Sequence, residues 1–179
     1  MIDAPADSAD WVKGLGIVPE ALVLTHQHFD HVLDAAKIAA LGVPVHAWSG
    51  FDRALLLEDV VKQWGMPFDV EPYEVHSVLC GREQLKFGAL TFELRHLPGH
   101  SPDSVILLDR DSGVVFAGDT LFAGSTGRAD LPGGDFSLLC RGIREQIYTL
   151  DAGIRVLPGH GPETTVGEES ASNSVVRAD

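Results

Sequence analysis

Apolar residues in this chain fall into short blocks, and the blocks change character along its length. Ile2-Asp3 has the look of a strand end, and a short helix is predicted over residues 8–15, stopped by Gly14 and Gly16 with Pro19 beyond. Residues 21–25 are continuous, apolar and few, which predicts a buried strand. Over residues 32–41, Val32, Ala35, Ala36, Ala39 and Ala40 make one apolar helical face, ended by Gly42 and Pro44. Residues 43–47 predict a strand. A second helix is predicted over 51–64, with Leu57, Val60, Val61 and Trp64 on one side and Gly65 as its stop.

The middle of the chain switches to strand-sized blocks at 75–78, 84–87, 90–97, 105–108 and 114–117, joined by turn chemistry such as Asp109-Arg110-Asp111-Ser112-Gly113. A glycine-rich loop follows over 118–134. Behind Asp135 as N-cap, Phe136, Leu139, Cys140, Ile143, Ile147 and Leu150 recur at helical spacing. Residues 155–157 are a last buried strand, and from Glu168 the sequence turns polar and small. Strands and helices alternate at both ends, with a run of strands between. That order predicts a layered α/β domain, mixed sheets with helices outside.

Composition narrows the partners rather than the fold. The chain has 179 residues, long enough for one domain with a sizeable core. We place that domain at residues 1–173 and expect 174–179 to be a polar tail. A net charge of −13 repels phosphate backbones and anionic lipid, which argues against nucleic acid and membrane as partners. No apolar run approaches the length of a membrane span, and the N-terminus lacks the basic and apolar regions of a secretory leader. Cys80 and Cys140 stand far apart in no metal or redox spacing, as expected of reduced thiols in a cytoplasmic protein. Cys140 is expected to be buried, and Trp11, Trp48 and Trp64 to pack in the core or against helices.

Candidate chemistry is concentrated in His26-Gln27-His28-Phe29-Asp30-His31, directly after an apolar strand. Three imidazoles and a carboxylate are poor core material and repel one another when protonated, so a metal ion is the natural reason to gather them. In extended chain His26 and His28 face the same side; Asp30 and His31 follow once the chain has turned into a helix. The pattern recurs at three further strand ends, Pro98-Gly99-His100, Gly118-Asp119 and Pro158-Gly159-His160. Each time a glycine lets the backbone come close and a ligand-type residue follows. The candidate metal ligands are therefore His26, His28, Asp30, His31, His100, Asp119 and His160.

The stretches T-H-Q-H-F-D-H, L-P-G-H-S-P, F-A-G-D-T-L-F and L-P-G-H-G-P-E-T-T resemble the metallo-β-lactamase superfamily. Within it the chain resembles the glyoxalase II (hydroxyacylglutathione hydrolase) branch, in a short form without a C-terminal helical domain. The resemblance implies an αββα sandwich, two mixed sheets face to face with helices outside. It implies one metal on His26, His28 and His100 and a second on Asp30, His31 and His160, with Asp119 bridging and with Asp30 and Asp119 as the catalytic carboxylates. Zinc comes first as the metal, and iron and manganese are admissible. The implied chemistry is hydrolysis of a small-molecule thioester, a glutathione conjugate being one form, by a hydroxide shared between the two metals. Arg128 stands about where that branch places a basic residue for substrate. An internal ion pair with Asp130 that pins the loop is the alternative.

Three other activities stay open: a mononuclear-iron persulfide dioxygenase of the same superfamily, a lactonase or β-lactamase-type hydrolase, and a metal-binding domain without catalysis. The sequence also departs from the family in places. Asp103 stands where glycine is usual, an expected left-handed position that adds negative charge at the cleft entrance. The usual N-P-F ending reads Asn173-Ser174-Val175. The N-terminal hairpin of relatives has no counterpart before Ile2, so a truncated chain or a homo-oligomer that covers the open sheet edge is expected.

Overall fold

The computed structural model describes residues 1–66 and 68–178. The chain divides into two compact units, Met1–Gly81 and Arg82–Asp179. In the first unit α1 is Ser8–Leu15, β1 Leu22–Val23, α2 Phe29–Val32, α3 Ala35–Ala39 and β2 Val45–Ala47. A 3-10 turn at Arg53–Leu55, α4 at Glu58–Gln63 and β3 at Ser77–Val78 follow. The strands form a sheet in the order β1-β2-β3, parallel at both pairings. Ile2 extends it by a parallel bridge to Val23, where Asp3 N–H donates to the Val23 carbonyl (3.0 Å) and Val23 N–H to that of Met1 (3.0 Å). Leu22, Leu24, Val45, Ile38 and Leu56 are fully buried in the apolar cluster beneath these elements.

Both helices expected after the first strand come in two pieces. The helix at 32–41 breaks at Asp34, whose N–H donates to the Ala4 carbonyl (2.9 Å) rather than up its own helix. The Asp34 carboxylate accepts from Ala9 N–H (3.0 Å) and from Lys37 Nζ (2.6 Å). These ties fasten the turn after the histidines to residues 4–9, and they outweigh what a continuous helix would gain. The helix at 51–64 breaks at Leu57, a non-glycine residue at φ 58°. Leu56 is buried there, and the Glu58 carboxylate is drawn in to accept Val70 N–H (2.7 Å) and Arg53 (2.9 Å). Trp11 and Trp64, expected in the core or against helices, lie outside the core at 63% and 48% exposed. The buried side of α1 runs through Ser8, Ala9 and Val12, and Trp11 lies off it.

In the second unit β4 is Gln84–Phe87, β5 Leu90–His96, β6 Val105–Asp109 and β7 Val114–Gly118. A small hairpin, β8 Leu121–Phe122 and β9 Ser125–Thr126, is followed by α5 Phe136–Gln146, β10 Arg155–Pro158, β11 Thr164–Thr165 and α6 Val166–Ser172. The sheet order is β11-β10-β7-β6-β5-β4, antiparallel except where β10 pairs with β7. Strand β6 is buried along its whole length. Helix α5 starts on the Asp135 cap, whose carboxylate accepts Leu138 N–H at 2.9 Å. Its Leu139, Ile143 and Ile147 are buried with Leu97, Ile106, Val115 and Val156.

The hairpin inside the glycine-rich loop and helix α6 were not expected. The signal for α6 is present: Thr165 caps it, accepting Glu168 N–H at 3.2 Å, in the Thr-x-x-Glu spacing of a capping box. Beyond α6, Val176 is buried and its carbonyl accepts the Tyr148 hydroxyl at 2.9 Å. Asp179, the last residue of the expected polar tail, lies outside the described residues. Among the described residues no helix is long and apolar enough to cross a membrane.

Candidate metal centre

Each unit carries its own group of ligand-type side chains. In the first, the chain leaves β1 extended, so His26 and His28 fall on one side. Gln27, on the other, accepts the Tyr73 hydroxyl (3.0 Å) and donates to the Gly50 carbonyl (3.2 Å). His28 is still extended (φ −61°, ψ 147°) and α2 begins behind it, carrying Asp30 and His31. His26, His28 and His31 are buried, with ring centroids 4.6 Å apart for His26 and His28 and 4.2 Å for His26 and His31. Asp30 is half-buried, its Oδ2 4.0 Å from His31 Nε2. Three buried imidazoles this close cannot all be charged; as neutral rings they present a lone pair each.

The ring orientations are set by a carboxylate that sequence reasoning missed. Asp3 Oδ2 accepts His31 Nδ1–H (2.8 Å) and the Thr25 hydroxyl (2.8 Å), while Oδ1 accepts Thr25 N–H (2.7 Å). Having given its proton to Asp3, Thr25 Oγ1 accepts from His26 Nδ1 at 3.1 Å. One acid thereby assigns the Nδ1–H tautomer to two imidazoles and puts their lone pairs on Nε2, the support that metal-ligating histidines receive. The signal was readable, since Asp3 is another acid closing a strand, as Asp119 is.

In the second unit Asp119 follows the end of β7, whose neighbours are β6 and β10. His100 lies in the turn before β6 and His160 in the turn after β10, so both flank it. Asp119 Oδ2 is 3.7 Å from His100 Nε2 and 3.6 Å from His160 Nε2. These separations are too long for hydrogen bonds. Two donors on one zinc, each about 2.1 Å away at a tetrahedral angle, lie about 3.4 Å apart, so the spacing suits a cation between them. His100 Nδ1–H donates to the Arg128 carbonyl at 2.7 Å, again leaving Nε2 as the lone-pair nitrogen.

Two glycines make this possible. A Cβ on Gly127 would meet the Asp119 carbonyl oxygen at 1.8 Å and His100 Nδ1 at 3.0 Å; one on Gly99 (φ +132°) would meet the backbone of Leu139 at 2.5 Å. Helix α5 is thus seated against the His100 turn, and Asp135 N–H donates to the Gly99 carbonyl (2.8 Å).

The Arg128 side chain forms a two-pronged pair with Asp130, Nε and a terminal nitrogen each 2.8 Å from a carboxylate oxygen. That pair raises the guanidinium's pKa and holds the Asp130 carboxyl down at about 2. Asp103 is not left-handed and not at a surface. It is buried, and its carboxylate accepts the Ser101 hydroxyl, a contact that offsets burial where glycine would make none. His96 Nε2 donates to the Pro102 carbonyl (2.8 Å), a structural pin for the same turn.

The donor set, five imidazoles and two carboxylates with neither cysteine among them, fits a borderline divalent ion such as zinc, iron or manganese. Residues 5–160 match the sequence model of the metallo-beta-lactamase superfamily, and the chain belongs to that superfamily. A hydroxyacylglutathione hydrolase, GloC, of Haemophilus influenzae is 33% identical over 171 residues, covering 90% of this chain and 78% of its own. Among solved structures, the BLEG-1 B3 metallo-beta-lactamase matches with a TM-score of 0.87 at 34% identity, over 98% of this chain and 87% of that one. TTHA1623, solved in a di-iron-bound form, matches with a TM-score of 0.80 at 35% identity, over 97% of this chain and 87% of that one. The chain is a metallo-hydrolase of this superfamily, an α/β protein with helices packed on its sheets.

Proposed function

We propose that this hydrolase cleaves a small-molecule thioester with two divalent cations. By the family resemblance His26, His28 and His100 would hold one, Asp30, His31 and His160 the other, and Asp119 would serve both. The observation that carries the reading is Asp119 Oδ2, flanked at 3.7 and 3.6 Å by imidazole nitrogens from two different strand ends. A carboxylate shared between two cations needs that placement. The likeness to a relative named hydroxyacylglutathione hydrolase supports the substrate class.

When bound, such cations supply Lewis acidity, which polarises a carbonyl and acidifies water near neutral pH. The chain supplies orientation and charge. Asp3, Thr25 and the Arg128 carbonyl keep His26, His31 and His100 in the tautomer that ligates through Nε2. Asp119, nearly buried, brings negative charge where cations must be balanced. Asp30, the more exposed carboxylate, is suited to pass to solvent the proton released as water adds to the carbonyl. A thiol leaving group, with a pKa near 8.5, departs as the anion without a proton donor. That suits a thioester, whose leaving group asks for no proton back from Asp30.

A second reading, β-lactam hydrolysis, draws on the likeness to the BLEG-1 enzyme. Metal analysis combined with a panel of S-lactoylglutathione, a neutral thioester, a lactone, glutathione persulfide and a β-lactam decides between them. Thioester turnover that a chelator abolishes and added metal restores, and that His28→Ala loses together with metal, is the expected result. Turnover of the β-lactam without the thioesters would overturn the proposal.

A further inference from the structure

The glycine-rich stretch between Asp119 and Arg128 is held by residues that lie far on in the sequence. Glu169, in α6, is buried at 3% exposure. Its Oε2 accepts the Gly124 N–H at the tip of the β8–β9 hairpin (2.9 Å) and the Asn173 side-chain amide (2.6 Å). Its Oε1 accepts the Thr164 hydroxyl at 2.7 Å. Asn173 Nδ2 also donates to the Ser125 carbonyl (3.0 Å), on the other side of the same tip, and its Oδ1 accepts the N–H groups of Val175 and Val176. A buried carboxylate served by these neutral donors is costly to keep for packing alone. Here both of its oxygens and its nearest amide are committed to the hairpin tip and the α6 approach.

From that tip the chain returns directly to the metal-ligand candidates. Gly127 N–H donates to the Thr120 carbonyl at 3.2 Å, Gly127 sits against the Asp119 backbone too closely for a side chain, and the Arg128 carbonyl holds His100 Nδ1. A hairpin of two-residue strands has little stability of its own. Its position, and with it the orientation of His100 and the room around Asp119, depends on being anchored from outside.

We propose that Glu169, together with Asn173, is a positioning residue of the metal centre. By clasping the β8–β9 hairpin it fixes the Gly127-Arg128 backbone that orients His100 and seats Asp119. The proposal rests on the dinuclear reading above. It predicts that Glu169→Ala weakens metal binding by about 10-fold, the lower end of the loss expected for a group bonded directly to a ligand. Glu169→Gln should keep most of the affinity. Its amide oxygen can accept from Gly124 and Asn173, and its NH2 can donate to Thr164 Oγ1.

The test has two readouts that differ from activity. Zinc and cobalt affinities are measured by chelator competition, with the cobalt absorption spectrum recorded, for the wild type, Glu169→Ala, Glu169→Gln and Val166→Ala. Val166 is buried in the same helix but makes none of the clasp bonds, so Val166→Ala reports plain destabilisation. In metal-free protein, the imidazole Nδ1–H resonance of His100 is followed by NMR. Loss of that resonance, weaker metal and an altered cobalt spectrum in Glu169→Ala, with Val166→Ala within 2-fold of wild type, is the expected result. An unchanged His100 signal in Glu169→Ala, or an equal loss in Val166→Ala, would overturn the clasp. A wild type that binds neither metal would instead overturn the dinuclear reading, whatever the His100 signal shows.

Discussion

Asp3 Oδ2 lies 2.8 Å from His31 Nδ1, and the same oxygen receives the Thr25 hydroxyl that orients His26. Asp3 can do this because its backbone is left-handed (φ 54°), a conformation Asp tolerates better than most residues. Asp3→Asn keeps that backbone but halves the acceptors: with the amide oxygen in the Oδ2 place the Thr25 N–H faces an NH2, and with the NH2 there His31 and the Thr25 hydroxyl both lose their acceptor. Metal affinity should fall by about 10- to 100-fold in Asp3→Asn, and less in Thr25→Val, which touches only His26. Chelator competition measures both. Wild-type affinity in Asp3→Asn would show that the orienting carboxylate is dispensable.

Gly127→Ala should be among the most damaging single changes available. The added methyl would stand 1.8 Å from the Asp119 carbonyl oxygen, and neither backbone can yield without moving a ligand. A loss of about 3 kcal/mol or more in denaturant-measured stability is expected, at the upper end for overpacking. Gly153→Ala is the matched control. Its Cβ would meet nothing within 4 Å, and its φ is not in the left-handed region. That change should be neutral or stabilise by about 0.5 kcal/mol through the unfolded chain. Similar losses in both would mean that the close approach at Gly127 does not matter.

These residues also show what could be read without coordinates. The seven candidate ligands can be named from sequence because they come in short motifs after apolar strands and carry donor atoms that a core rejects. Strands β4 to β7 and helix α5 were legible for a similar reason: their apolar spacing has one cheap burial. The breaks at Asp34 and Leu57 were not, since helical spacing continues through both and only contacts with Ala4, Ala9 and Val70 interrupt it. Asp3 was passed over as a strand end because its partners, Thr25 and His31, lie more than twenty residues away. The capping box of α6 was visible and outvoted by the polar, small composition around it.

Acid should destabilise the metal-free protein through carboxylates whose partners exist only in the fold. Burial pushes the Asp34 carboxyl up, but the Lys37 ammonium and Ala9 N–H outweigh it and leave the pKa below the ordinary value. At Glu93 burial is likewise outweighed by Arg95 and Arg110. A group with a folded pKa below its unfolded one binds more protons when unfolded. Its contribution is therefore complete above the ordinary carboxylate range near pH 4 and is lost as pH falls through the folded value. The difference in melting temperature between wild type and Asp34→Asn should therefore be constant from about pH 7 to 5 and shrink below about 4. Asp34→Asn should start lower at pH 7 and fall less steeply. A parallel decline in that variant would remove Asp34 from the account.

Arg128 and Asp130 give the sharpest statement about substrate. Their pair is two-pronged but exposed, and exposed pairs are weak, so a carboxylate arriving on a substrate can take Asp130's place. With the Asp130 carboxyl held at about 2, the pair is intact throughout the working range, and competition for the guanidinium does not vary between about pH 5 and 9. If Arg128 receives a carboxylate of a glutathione-type thioester, Asp130→Asn should lower its KM by about 2- to 5-fold, leave kcat unchanged, and leave a neutral thioester unaffected. Arg128→Met should erase the difference between the two substrates. The Arg128 carbonyl also holds His100, so metal content must be equal in all three proteins for the comparison to stand. A KM that moves equally for charged and neutral thioesters would mean that the pair only pins the loop. Equal metal content with the discrimination lost in Arg128→Met would place the guanidinium at the substrate.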